Sequence, residues 1–95
     1  DLIQETIWAS LDQISKLFNR DKSGISRYIK NIFNSGELDK NQTVAKIATV
    51  QTEGTKRVQR DIEYFNLDMI ISIGYKVDSK EATNFRKWAT GVLKK

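Results

Sequence analysis

Leu11, Ile14, Leu17 and Phe18 recur at three- and four-residue spacing, and after a polar stretch Ile25, Tyr28, Ile29, Ile32 and Phe33 resume the same rhythm. Each series predicts a short amphipathic helix with one face turned to a core. Ser10 stands three residues before Gln13, the spacing of a reciprocal cap at a helix start. Asn19 tolerates the left-handed backbone that ends a helix, Asp21 can cap the next one, and Gly36 in "NSGELD" is a natural stop. Just ahead, "ETIWAS" (Glu5 to Ser10) is short and β-prone and predicts a strand leading into the first helix.

The rhythm then changes to period two. "TVAKIATVQ" (Thr43 to Gln51) and "RVQRDIEYFN" (Arg57 to Asn66) are rich in β-branched residues and flank "TEGTK", which predicts a hairpin. Val58, Ile62 and Tyr64 share one face, with Arg57, Gln59, Asp61 and Glu63 on the other. Arg60 falls among the apolar set, so a bulge or a twisted distal end is expected there. "NLDMIISIGYKV" predicts a core helix capped by Asn66 and ending at Gly74. "DSKEATNFRKWATGVLKK" predicts a last helix opened by an Asp78–Glu81 capping box, with Phe85, Trp88, Ala89, Val92 and Leu93 buried and Arg86 and Lys87 off the stripe. Trp88 is read as core, with an exposed partner site as the alternative.

The first two helices fit a helix-turn-helix. Such a unit wants a small residue where its helices cross, met by Ser15, and four residues later a turn residue at ease with positive φ, met by Asn19. Apolar residues are then expected six and nine positions beyond the turn, where Ile25 and Tyr28 stand. Arg20 departs from the pattern, which prefers an aliphatic; an arginine stem can cover apolar surface while its head reaches water or phosphate. With the isoleucines buried, the second helix presents Lys22, Ser23, Ser26, Arg27, Lys30 and Asn31 outward. A major groove admits such a helix: Arg27 suits bidentate contact with guanine, Ser23 and Ser26 can bond to bases or phosphates, and Lys22 and Lys30 suit phosphates. Gly24 lets the backbone approach closely. Lys56, Arg57 and Arg60 on the hairpin would touch the flanking backbone, as in a winged fold. The competing reading is a solvated helix face and a solubilising edge hairpin.

Composition narrows the chemistry. Ninety-five residues with 39% hydrophobic and 29% charged content make one soluble domain, or one domain with an appended hairpin and helix, not two cores. The absence of histidine removes the commonest general base and zinc ligand, and the absence of cysteine removes disulfides and thiolate sites. No acidic cluster or Gly-rich phosphate loop stands in their place, so neither an enzyme, a metal site nor a cofactor is expected. No segment approaches the roughly 20 apolar residues of a membrane span, and a cytoplasmic protein is expected. The net charge of +4 favours a polyanion only weakly; the concentration of four bases and one acid between Arg20 and Lys30 says more. The chain opens on Asp1 and stops in a helical pattern, which reads as a fragment of a longer chain.

Three strings are distinctive: "NIFNSGELD", "YFNLDMIISIGYKV" and "FRKWATGVL". With the segment "ETIWASLDQISKLFNRDKSGISRYIKNIFNSGELD" they closely resemble the RhuM family over nearly the whole chain. These bacterial proteins are described as virulence-associated or DNA-binding and occur near restriction-modification genes. The last third is also similar in layout to the Bro-N domains of phage and viral antirepressor-like proteins. The resemblance implies a DNA-associated role and a longer parent chain; it supplies no binding residues.

The expectation is therefore an α+β domain, winged-helix-like: a helix-turn-helix over about 10–36, a β-hairpin over about 43–66 and two C-terminal helices over about 66–95. Its expected function is sequence-specific binding of double-stranded DNA in a regulatory role, with homodimerisation as an option. The alternative, from another class, is a protein-interaction module docking a restriction or toxin-system partner.

Overall fold

A computed structural model describes residues 7–93 of the chain. The described residues form an α+β fold of five helices and a three-stranded antiparallel sheet. In chain order these are β1 (Trp8–Ser10), α1 (Leu11–Phe18), α2 (Lys22–Asn34), α3 (Lys40–Thr43), β2 (Val44–Glu53), β3 (Lys56–Asn66), α4 (Leu67–Lys76) and α5 (Lys80–Leu93). The sheet order is β1-β3-β2. Of the expected strand from Glu5 to Ser10, Trp8 onward is observed, and Glu5 and Thr6 lie outside the described residues.

The first helix opens as its sequence predicts. Ser10 Oγ accepts from the Gln13 amide at 3.3 Å, and the Ser10 amide donates to Gln13 Oε1 at 2.9 Å, so two otherwise free donors are satisfied reciprocally. It closes on Asn19 at φ 53°, with the Arg20 amide reaching back to the Ser15 carbonyl at 3.0 Å. Asp21 begins α2 through its backbone alone: its carbonyl takes the Ile25 amide at 3.1 Å while its carboxylate caps nothing. The expected side-chain cap is therefore absent. Gly36, at φ 78°, ends the helix in a Schellman turn, the Glu37 amide bonding to the Ile32 carbonyl at 3.2 Å.

Ile14 and Phe18 of α1, Ile25, Ile29 and Ile32 of α2, and Met69, Ile70 and Ile73 of α4 form the core, with Phe65 entering from the sheet. Each large side chain so buried stabilises the fold by about 1.5–3 kcal/mol before entropy is counted. Leu17, expected inside, is 43% exposed, and Trp88, also expected inside, is 44% exposed. The reason is common to both. Leu11, Ile14 and Phe18 define the direction of the buried stripe on α1, and Ala82, Phe85 and Ala89 do so on α5. Leu17 and Trp88 sit about 90° from the centre of their stripes at 100° per residue.

Three further expectations are corrected. Gly74 does not end α4, which runs two residues on; it is the point where α4 meets Phe18 and Phe85. The cap of α5 is Ser79, whose Oγ accepts the Ala82 amide at 3.0 Å, so the Asp78–Glu81 box does not form. Arg86 is not off the packed face: it is half-buried and donates to the Gly74 carbonyl at 2.6 Å, the Val77 carbonyl at 3.2 Å and Thr83 Oγ1 at 2.9 Å. It thereby satisfies the free carbonyls at the end of α4. The side chains of Val92 and Leu93 lie outside the described part.

The hairpin is longer and more regular than its sequence suggests. Its two-residue turn is Gly54–Thr55, with Gly54 at φ 63°, and the β2–β3 ladder runs from Val44↔Phe65 to Glu53↔Lys56 without a bulge. Arg60 needs none, because the ladder places it on the same face as Glu53, which pairs with it; Arg60 Nε donates to Glu53 Oε1 at 2.9 Å. A short helix absent from the sequence reading, α3, precedes β2; Asp39 caps it by accepting the Asn41 amide at 3.0 Å.

Candidate nucleic-acid interface

Ile25, Ile29 and Ile32 are buried and Tyr28 and Phe33 pack half-buried beside them, so α2 presents its opposite side to solvent. That surface holds Lys22, Arg27 and Lys30, and the helix contains no acid. It divides into two flanks. Lys22, Ser26 and Lys30, at i, i+4 and i+8, line a groove of about 720 Å³ between α2 and β3. Ser23, Arg27 and Asn31, at the same spacing one residue on, are exposed on the side away from it.

The cations differ in what already holds them. Lys22 Nζ lies 3.0 Å from Asp12 Oδ1, and Lys16 Nζ lies 3.1 Å from Asp12 Oδ2. Hydrogen bonds from Lys22 and then Lys16, with the positive charge of both, hold the Asp12 carboxyl below its usual range. Arg60 is engaged by Glu53. Arg20 donates from Nη1 to the Asn19 carbonyl at 3.0 Å and from Nη2 to the Asp78 carbonyl. Among the described residues no acid pairs with Arg27, Lys30, Lys56 or Arg57. Lys56 and Arg57 stand at the tip of the hairpin, beside the turn, and are exposed.

Of the ten residues singled out from the sequence, six share the solvent side of α2, two occupy the hairpin tip, and Arg20 and Arg60 are spent on intramolecular bonds. The groove is also lined by groups that spacing did not point to: Lys40 of α3, and Asp61 and Glu63 of β3. The signal for the acids was present, since alternation placed both opposite the apolar face of β3, but nothing in a single sequence tells which side of a hairpin faces a neighbouring helix. Ser15, expected at the crossing of α1 and α2, is half-buried, and its hydroxyl donates to the Arg20 carbonyl.

No cluster of three or more potential metal ligands occurs among the described residues, and no described helix is long and apolar enough to cross a membrane. A second opening, lined by Tyr75, Thr83, Arg86, Lys87 and Thr90, is shallow and carries no cluster of titratable acids.

Residues 42–95 match the family model described as the virulence protein RhuM family. The chain belongs to that family. The RhuM match takes in the hairpin, α4 and α5 and stops short of α1 and α2, so the helix pair with the acid-free face lies outside it. No curated protein and no solved structure matches this RhuM chain.

Proposed function

We propose that this chain binds double-stranded DNA sequence-specifically, with α2 as the helix that enters the major groove and the β2–β3 hairpin as a wing against the adjacent backbone. One observation carries the reading: α2 buries its isoleucines and turns outward Ser23, Arg27 and Asn31, none of whose side chains has a hydrogen-bond or ion-pair partner among the described residues. Arginine reads guanine bidentately and asparagine reads adenine, so this flank suits base edges. Lys56 and Arg57 at the hairpin tip suit phosphates, which position the protein without reading sequence. The order β1, α1, α2, α3, β2, β3, with β1 paired to the outer side of β3, supports reading the hairpin as a wing. The role we infer is regulatory, as in the DNA-associated setting that the RhuM and Bro-N resemblances imply.

Asp61 and Glu63 weigh against phosphate entering the groove beside Lys30. The duplex therefore meets the Arg27 flank, and the groove faces away from the closest phosphates.

The test is selection of bound oligonucleotides from a random duplex pool, followed by titration of the enriched duplex and of random duplex at several salt concentrations. Arg27→Ala is expected to lose about 1–3 kcal/mol on the enriched duplex and to relax its preference. Equal losses on both duplexes refute base reading by Arg27. Absence of salt-dependent binding to either refutes the function. That outcome would favour a protein-docking role, for which the exposed Ile47 and Val50 on the hairpin, at 51% and 60%, are the motivating feature.

A further inference from the structure

The Val77 and Asp78 carbonyls, adjacent in the link between α4 and α5, each receive a guanidinium, and the two come from opposite ends of the chain. Arg86 of α5 takes Val77 together with Gly74. Arg20, in the turn between α1 and α2, takes Asp78 through Nη2 while Nη1 holds its own neighbour Asn19. The carbonyl of Arg20 is in turn fixed by the Ser15 hydroxyl. The residue preceding the start cap of α2 is thus held at its side chain by the α4–α5 link and at its backbone by α1.

We propose that Arg20 is a positioning residue, which sets where α2 begins relative to the α4–α5 half of the fold, and that it is not a phosphate contact. Planarity is what the arrangement requires. One guanidinium donates from two nitrogens in fixed directions to two carbonyls of different segments; an ammonium supplies a point charge and cannot reproduce the fork. The identity of Arg20 also resolves its departure from the helix-turn-helix pattern. The usual aliphatic would hold the turn by packing, whereas here the turn is held by hydrogen bonds to exposed carbonyls.

The binding readout rests on the proposed DNA function, so a second readout stands apart from it. Arg20→Lys and Arg20→Ala are compared in the 95-residue chain, with far-ultraviolet circular dichroism confirming that both fold. Binding is titrated on the enriched duplex and on random duplex over a range of salt. A positioning role predicts that both variants weaken the enriched duplex by about tenfold. It also predicts an unchanged salt slope and little effect on random duplex. Rescue by lysine, or a slope smaller by about 1 with equal loss on both duplexes, identifies a phosphate contact and overturns the proposal. Amide hydrogen exchange at residues 19–23 and 78–82 is measured without DNA. Faster exchange in both segments for both variants is expected, and wild-type exchange overturns the proposal even if no duplex binds at all.

Discussion

Gly74 faces the ring of Phe85 so closely that a Cβ at position 74 would stand 3.0 Å from Phe85 Cδ2, with Phe18 Cζ at 3.2 Å on its other side. The two rings themselves meet edge to face, their centroids 5.2 Å apart. Phe18 is fully buried, so any shift of its ring must disturb close-packed neighbours. Gly74→Ala is therefore expected to destabilise the protein by about 1–2 kcal/mol in urea unfolding, the overpacking cost exceeding the helix-propensity gain. Gly91→Ala, where nothing lies within 4 Å, is the control and should be neutral or stabilising.

Gly24 separates stability from binding. It lies inside α2, and a Cβ there would meet nothing within 4 Å. Gly24→Ala should raise stability by about 0.4–1 kcal/mol, because alanine gives up less conformational freedom on taking the helical backbone. It should nonetheless weaken the enriched duplex if the backbone of α2 approaches the DNA there. Unfolding and titration of the same variant check both parts, and a gain in stability with unchanged affinity would mean that Gly24 does not face the duplex.

Asp61 and Glu63 line the groove away from the Arg27 flank, within reach of a polyanion's unscreened field at low salt. Replacing both by their amides should increase affinity for random duplex by about three- to tenfold at low salt, with the increase fading as salt rises. Unchanged affinity at low salt would place the duplex well away from β3.

Asp12 supplies the pH dependence. Its folded pKa is depressed by Lys22 first and Lys16 second, so the stabilisation is present above the ordinary carboxylate pKa, about 4. It is lost as pH falls through the lower folded value. Asp12→Asn should remove that part of the acid sensitivity in urea unfolding below about pH 4. It also frees Lys22, so DNA affinity at neutral pH should rise. A wild-type pH profile in the variant would show that the two lysine contacts have no energetic weight in solution. Glu37, lowered by the Ser72 side chain and by Lys76 at 3.1 Å, acts with the same sign where the loop after α2 meets α4.

Most of the architecture was legible because periodicity and caps agree. The Ser10–Gln13 box, Asn19 and Gly36 mark boundaries by local chemistry, and the isoleucines of α2 leave one way to orient it. What was not legible depended on partners distant in the chain. Gly74 resembles a helix stop until Phe18 and Phe85 are brought against it. Arg86 resembles a surface base until the end of α4 offers it two carbonyls. Leu17 and Trp88 lie at the edge of their stripes, where spacing alone does not tell whether the packed face reaches them, and both are exposed. The site followed the same rule: the outward set on α2 was readable from one helix, while the engagement of Arg20 by Asp78 and of Arg60 by Glu53 required the tertiary fold.

The unbroken β2–β3 ladder has a consequence of scale. Ten residues of strand rise about 33 Å, a large part of the 48 Å length of the molecule. At about 3.4 Å per base pair, 48 Å corresponds to about fourteen pairs, more than one turn of B-form duplex. A single copy lying lengthwise along its target would thus shield a footprint wider than the few bases one helix can read, and nuclease protection would overstate the size of the recognised word.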